Sequence, residues 1–208
     1  GFGGYLLAMF IVTVMYLGLC YSIAEMSPAL PHTGGAYSFG RTAMGVWGGF
    51  LTGLAENMEY VVTTAVVVYF MGAFLTDIFE TPDSFRPVWW AVMYIIFIGI
   101  NIWGVEATFR FTVIITLLAL AILIVFYCGV ILSGKFDFEL TMNIEPDPGN
   151  SKWLPFGFNG VALALPYAMW LYLAIEQLPL AAEEATDVKK DMPKGIILGL
   201  VTLIVTGL

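Results

Sequence analysis

Charge is what this sequence has least of. Only 12% of its 208 residues are Asp, Glu, Lys or Arg, against about 25% in a typical soluble domain. A soluble fold of this size needs far more polar surface to cover itself. Basic residues are the scarcer sign, 8 against 16 acids, for a net charge of −8. That balance gives no support to nucleic-acid binding, which wants a basic face. One histidine, His32, is present, so no metal site that needs two imidazoles is available. The two cysteines, Cys20 and Cys128, each lie inside an apolar run. They read as small buried hydrophobes, not as a disulfide framework or a metal site. Also missing are His-Glu-x-x-His, Gly-x-Gly-Asp, Gly-x-Ser-x-Gly and a phosphate loop of the Gly-x4-Gly-Lys type. Nothing points to an intramembrane enzyme or to a bound cofactor.

What is present is apolar length. Hydrophobic residues make up 60% of the chain, and the composition says membrane protein. A membrane-spanning helix needs about 20 mostly apolar residues. Five runs meet this, at about 3–26, 45–75, 87–105, 109–132 and 157–182, and a sixth begins near Gly195 and stops at Leu208. The runs are continuous, not the alternating segments of an outer-membrane barrel. The expected class is an all-α integral membrane protein with five complete transmembrane helices and a truncated sixth. The whole of 1–208 reads as one transmembrane domain, partial at both ends, from the middle of a longer protein. At about 1.5 Å per residue the second run is about 45 Å long, against a bilayer core of about 30 Å. It should tilt or project.

The loops set the orientation. Arg41, Arg110, Lys189, Lys190 and Lys194 fall in the first, third and fifth loops, and Arg86, Lys135 and Lys152 in the second and fourth. The second and fourth also hold Asp77, Glu80, Asp83, Asp137, Glu139, Glu145 and Asp147. The excess of Lys and Arg places loops 27–44, 106–110 and 183–194 in the cytoplasm. Loop four, from Gly134 to Pro155, is acidic, with prolines inside and aromatics at its edges. It reads as an ordered external cap. Trp89, Trp90, Trp103 and Trp153 lie near run ends, where interfacial belts want amphipathic rings.

Four acids fall within or at the edge of the apolar runs: Glu25, Glu56, Glu59 and Glu176. A charged side chain at the bilayer centre costs about 2.5–3.5 kcal/mol on insertion scales, and such residues mark functional sites by default. Glu25 lies at a run end, where a solvated position explains it. Glu56 and Glu59, near the middle of the second run, share one helix face at a spacing of three. Two ionised carboxylates so close repel, so either one is protonated or both share a cation. A hydrogen-bonded clamp between helices is the structural alternative.

The fifth run, GFNGVALALPYAMWLYLAIEQLPLAAEE, holds Pro166 and Pro179. Proline removes a backbone hydrogen bond and clashes with the preceding turn. The freed carbonyls then need water, ligand or neighbours. Trp170, Tyr172 and Glu176 lie between the prolines. A regular helix points positions 170 and 172 apart, and a local unwinding would aim both at one cavity. The structural alternative is a kinked helix with ordinary packing aromatics. An interrupted span with aromatics, and a carboxylate on another helix, is the sequence pointer to a secondary-transporter site. Aromatic faces also hold an ammonium, for about 2 kcal/mol or more when dry.

Two loops carry a resemblance. PHTGGAYSFGRTAMG (31–45) resembles the first intracellular loop of the amino acid–polyamine–organocation superfamily, with its pattern Pro-x-x-Gly-Gly-x-Tyr. AEEATDVKKDMPKG (182–195) resembles the same family's loop of paired glutamates, basic residues and a Pro-basic pair. Val188 departs from it, since many relatives carry proline there. Within the superfamily, EMSPALPHTGGAYSFGRTAMG and LAENMEY are most similar to ethanolamine permeases. The resemblance implies a five-plus-five inverted-repeat fold whose site is formed by broken first and sixth spans, with this chain running from span two to the start of span seven. It places an unwound segment at Ala168 through Glu176, with Trp170 as the gating or stacking aromatic and Glu176 as a glutamate found there in several relatives. Some proton-coupled members carry a lysine in span five. None occurs between Phe111 and Leu132, so that arrangement is not supported.

The expected function is secondary active uptake of a small amine, ethanolamine first, with an amino acid permease of the same superfamily as the alternative. The expected substrate-binding residues are Glu59, Glu56, Trp170, Tyr172 and Glu176. No metal or cofactor is expected; the coupling ion, proton or sodium, is open. A structural or sensor subunit would explain the spans, but not the mid-membrane glutamates and the broken helix together.

Overall fold

The structure is a computed structural model, and it describes residues 1–30, 34–134 and 137–207, with the side chain of Glu183 excluded. Pro31, His32 and Thr33 of the first loop motif, and Lys135 of loop four, lie outside the described residues. Among the described residues six α-helices follow one another: α1 (Phe2–Ala29), α2 (Gly35–Ile78), α3 (Arg86–Trp103), α4 (Val105–Leu132), α5 (Gly157–Tyr172) and α6 (Val188–Gly207). Tight 3-10 turns occupy Asp83–Phe85, Phe138–Met142 and Ile175–Glu184. Among the described residues there is no strand. Five segments of the described residues are long and apolar enough to cross a membrane: Phe2–Ala29, Gly35–Ile78, Asp83–Trp103, Val105–Leu132 and Gly157–Ala182. The all-helical, multi-span class expected from the apolar runs is what the chain adopts.

The chain divides into two compact units, Gly1–Glu56 with Asp137–Leu208, and Asn57–Phe136. In the first, α1 lies at the centre and packs against both α5 and α6. Ala8, Met9, Val12, Tyr16 and Cys20 of α1 meet Val161, Ala168 and Tyr172 of α5 and Ile196 and Leu200 of α6 in one apolar core. The α1 positions recur at three or four residues, the spacing of one helix face. The end of loop four docks on the start of α1, with Trp153 edge-on to Phe2 at 6.1 Å and against Gly3. Asn150 donates its side-chain amide to the Pro155 carbonyl at 3.1 Å, and the Asp147 N–H donates to the same carbonyl at 2.9 Å.

In the second unit, α3 and α4 carry no buried residues. They touch through Phe97 and Phe111, whose rings meet edge-on at 6.1 Å, and most of their other apolar side chains are exposed, as on helices that face lipid. Trp89 stacks on Phe79 at 5.1 Å and donates its indole N–H to Thr81 at 3.1 Å.

Three boundaries differ from expectation. Residues 106–110 are not a loop, because Gly104 alone, at φ 124, joins α3 to α4. The stretch VEATFR takes up the helix at once, supported by an Arg110–Glu106 pair at 2.6 Å one turn apart. The stretch 35–44 is helical too. It is a separate leg that ends at Gly45, where φ is 75 and the chain turns before the second leg, 46–78. Finally, α6 begins at Val188, before the apolar run. There the Asp191 carboxylate accepts the Asp187 N–H at 2.9 Å, the back-bond of a helix start.

Candidate substrate site

The fifth span is broken. Helix α5 runs unbroken through Pro166 to Tyr172. Leu173 is extended, at φ −56 and ψ 144, and Ala174 is left-handed, at φ 78. The chain then continues as the 3-10 segment Ile175–Glu184, through Pro179. The break lies between the two prolines, not at either of them. A helix that stops leaves its last four carbonyls without partners inside the helix, and its C-terminal end carries about half a negative charge. Glu176 stands at the same place, and its Oε1 accepts the Ala174 N–H at 3.1 Å. The break therefore gathers a carboxylate and a helix C-terminus inside an apolar span.

The unwound stretch is shorter than the resemblance implied. Ala168 through Tyr172 stay helical because this turn is packed: Ala168 and Tyr172 are fully buried against α1. The Tyr172 ring stacks on Tyr16 at 5.2 Å, and its hydroxyl lies 2.6 Å from Thr13 Oγ1. Thr13 gives its own proton to the Met9 carbonyl, at 2.7 Å. A hydroxyl has one hydrogen, so Tyr172 is the donor of the pair. Trp170 points elsewhere, with 50% of its surface exposed. The two aromatics are not aimed at one cavity, because the helix remains regular at both.

The glutamates of α2 also part company. Glu56 Oε1 accepts the Ala36 N–H at 3.3 Å, and Oε2 accepts the Tyr37 N–H at 3.2 Å. Both of these bonds go to the first turn of α2, in the stretch expected as a loop. Glu59, one turn further, has its Oε1 buried with no hydrogen-bond partner among the described residues. Of the expected residues, Tyr172 and Glu176 flank the break, Trp170 lies just before it on the last turn of α5, and Glu59 belongs to the second unit. That unit also holds an apolar cavity of about 210 Å³ lined by Ala65, Val68, Tyr69, Trp90 and Tyr94. Among the described residues no group of three His, Cys, Asp or Glu side chains could hold a metal ion.

Sequence reasoning missed Thr13, Tyr16, Gly35 and Leu180, whose contacts set this geometry. A hydroxyl within the first apolar run was the available signal for Thr13. The Gly34-Gly35 pair was the signal for a close approach.

Residues 1–208 match the amino acid permease family. The chain is 27% identical to the methylthioribose transporter of Bacillus subtilis over its whole length, covering 48% of that protein. It is 26% identical to an uncharacterized transporter of Rhizobium meliloti, with 96% of this chain and 43% of the relative aligned. It is also 26% identical to the aromatic amino acid transport protein AroP of Escherichia coli, with 92% of this chain and 41% of the relative aligned. The chain thus spans less than half the length of these relatives. No solved structure is matched at a significant level. Each of these relatives is a transporter by name, the family match covers every residue, and the chain belongs to the amino acid permease family.

Proposed function

We propose that this chain is part of a secondary active transporter that takes up a small amine, with ethanolamine as the favoured substrate, across the cell membrane by alternating access. The observation that carries the reading is the break after Tyr172. A helix C-terminus and the Glu176 carboxylate meet there within an apolar span, and both favour a cation. An ammonium without a carboxylate of its own wants such partners. Trp170, half-exposed on the turn before the break, supplies an aromatic face for cation–π attraction. Glu59, in the second unit, is kept as a separate anionic candidate for substrate, because its Oε1 is buried without a donor among the described residues. Tyr172 serves the site by anchoring the turn before the break. Coupling is to a proton or to sodium, and segments 27–44, 106–110 and 183–194 face the cytoplasm.

The second reading is an amino acid permease. The relative named for aromatic amino acid transport favours it, and the partial positive charge that a zwitterion's carboxylate needs would come from backbone N–H groups. Uptake of labelled ethanolamine by the full-length protein tests the first reading, with amino acids as competitors. Strong inhibition by amino acids and none by unlabelled ethanolamine would reverse the order.

A further inference from the structure

Glu56 is placed where a substrate carboxylate is least expected. Both its oxygens are engaged by successive backbone N–H groups of Ala36 and Tyr37. The N–H groups of a helix's first turn have no partner within the helix and carry its positive end. A carboxylate is the natural acceptor for them. This contact exists because the chain doubles back at Gly45, which brings the second leg of α2 alongside the first.

Gly35 joins this clamp to the broken span. It is left-handed, at φ 49, and a Cβ there would stand 2.8 Å from Leu180 Cδ2 and 3.4 Å from Glu56 Oε1. No side chain fits between the two without displacing one of them. Leu180 belongs to the 3-10 segment that follows the break. One turn on, the Tyr37 hydroxyl accepts a hydrogen bond from Arg41 at 2.7 Å, which ties the first leg to itself. The start of α2 is thus held by Glu56 and covered at Gly35 by Leu180.

We infer that Glu56 is a positioning residue, which fixes the start of α2 as the seat for Leu180 and so for the segment beyond the break, and that it does not contact substrate. If the break is the hinge of transport, movement of 175–184 has to lift Leu180 from Gly35, and the strength of the Glu56 clamp sets how firmly that seat stays put. The kinetic part of this inference rests on the transport reading; the clamp itself does not.

Two measurements on the full-length protein test it. Hydrogen exchange of the Ala36 and Tyr37 amides is read in wild type, Glu56→Gln and Glu59→Gln. A glutamine offers one acceptor oxygen where the carboxylate offers two, so exchange should quicken about tenfold in Glu56→Gln alone. Unchanged exchange in Glu56→Gln would overturn the clamp. In uptake, Glu56→Gln and Gly35→Ala should each lower Vmax about tenfold with KM within about twofold. Leu180→Ala, added to Gly35→Ala, should restore part of the rate by removing the methyl that the new Cβ meets. A KM raised about tenfold at unchanged Vmax in Glu56→Gln would assign the residue to substrate instead. A wild-type protein that moved neither ethanolamine nor amino acids would sink the transport reading, while the exchange rates would still decide the clamp.

Discussion

The hydroxyls of Tyr172 and Thr13 lie 2.6 Å apart, and Tyr172 is the last helical residue before the break. The bond ties the end of α5 to the centre of α1. It explains why the helix stays regular up to position 172 and gives way only at Leu173. The upstream side of the break is held to α1 by this bond and by the buried Ala168 and Tyr172.

Removing this bond should loosen the chain without unfolding it. Hydrogen bonds between membrane helices average about 0.6 kcal/mol in double-mutant cycles. Tyr172→Phe keeps the ring on Tyr16 and loses only the donor. Thr13→Val loses the acceptor and the bond to Met9. Thermal unfolding of purified protein in detergent should show both less stable, with the double variant less destabilised than the sum of the two. Strict additivity would show that the two hydroxyls do not interact.

Ala174 makes a backbone prediction. A left-handed alanine costs about 1–2 kcal/mol that glycine avoids. Ala174→Gly should therefore keep the break and leave the melting temperature equal or higher, because the relief of strain offsets the extra freedom of the unfolded chain. Ala174→Pro should abolish the folded protein, since proline fixes φ at about −65° and removes the N–H given to Glu176. Equal folded yields of the two variants would contradict the left-handed geometry.

Trp170 separates transport from stability. With half its surface exposed, Trp170→Leu should change stability by no more than about 0.5 kcal/mol. Its uptake of labelled ethanolamine should fall about tenfold, and Trp170→Phe should retain most of it, because a phenyl ring still offers a π face. Full uptake by the leucine variant would remove Trp170 from the site.

Glu59→Gln should move the two readouts in opposite directions. A buried carboxylate oxygen without a donor lowers stability, and the neutral amide is cheaper to bury. The variant should melt at the same temperature or higher and transport less. A variant that melts lower and transports normally would make Glu59 a structural residue.

The spans were legible in the sequence because bilayer thickness dictates apolar length, and length is what a hydropathy reading sees. The broken fifth span was legible as a region, since each of its two prolines takes a hydrogen bond out of an apolar helix. Its location was not. Pro166 is accommodated within α5, and the turn that yields is fixed by what α1 holds, Ala168 and Tyr172. The helical leg 35–44 escaped because GAYSFGRTAM has no apolar run. Gly45 was the available signal, a glycine just past a short helix. The separate fates of Glu56 and Glu59 were out of reach. Their shared face is a local property, whereas the Ala36 and Tyr37 amides arrive by a turn at Gly45 that periodicity does not describe.

The single residue between α3 and α4 also limits how these helices enter a bilayer. One residue reaches about 3.6 Å, a small fraction of a hydrocarbon core of about 30 Å. The end of α3 and the start of α4 must therefore emerge on the same face, with Arg110 and Glu106 just beyond the turn. The two helices insert as a hairpin with one shared orientation. During biosynthesis neither can invert alone, so a charge moved into this turn would flip the pair or leave both in place.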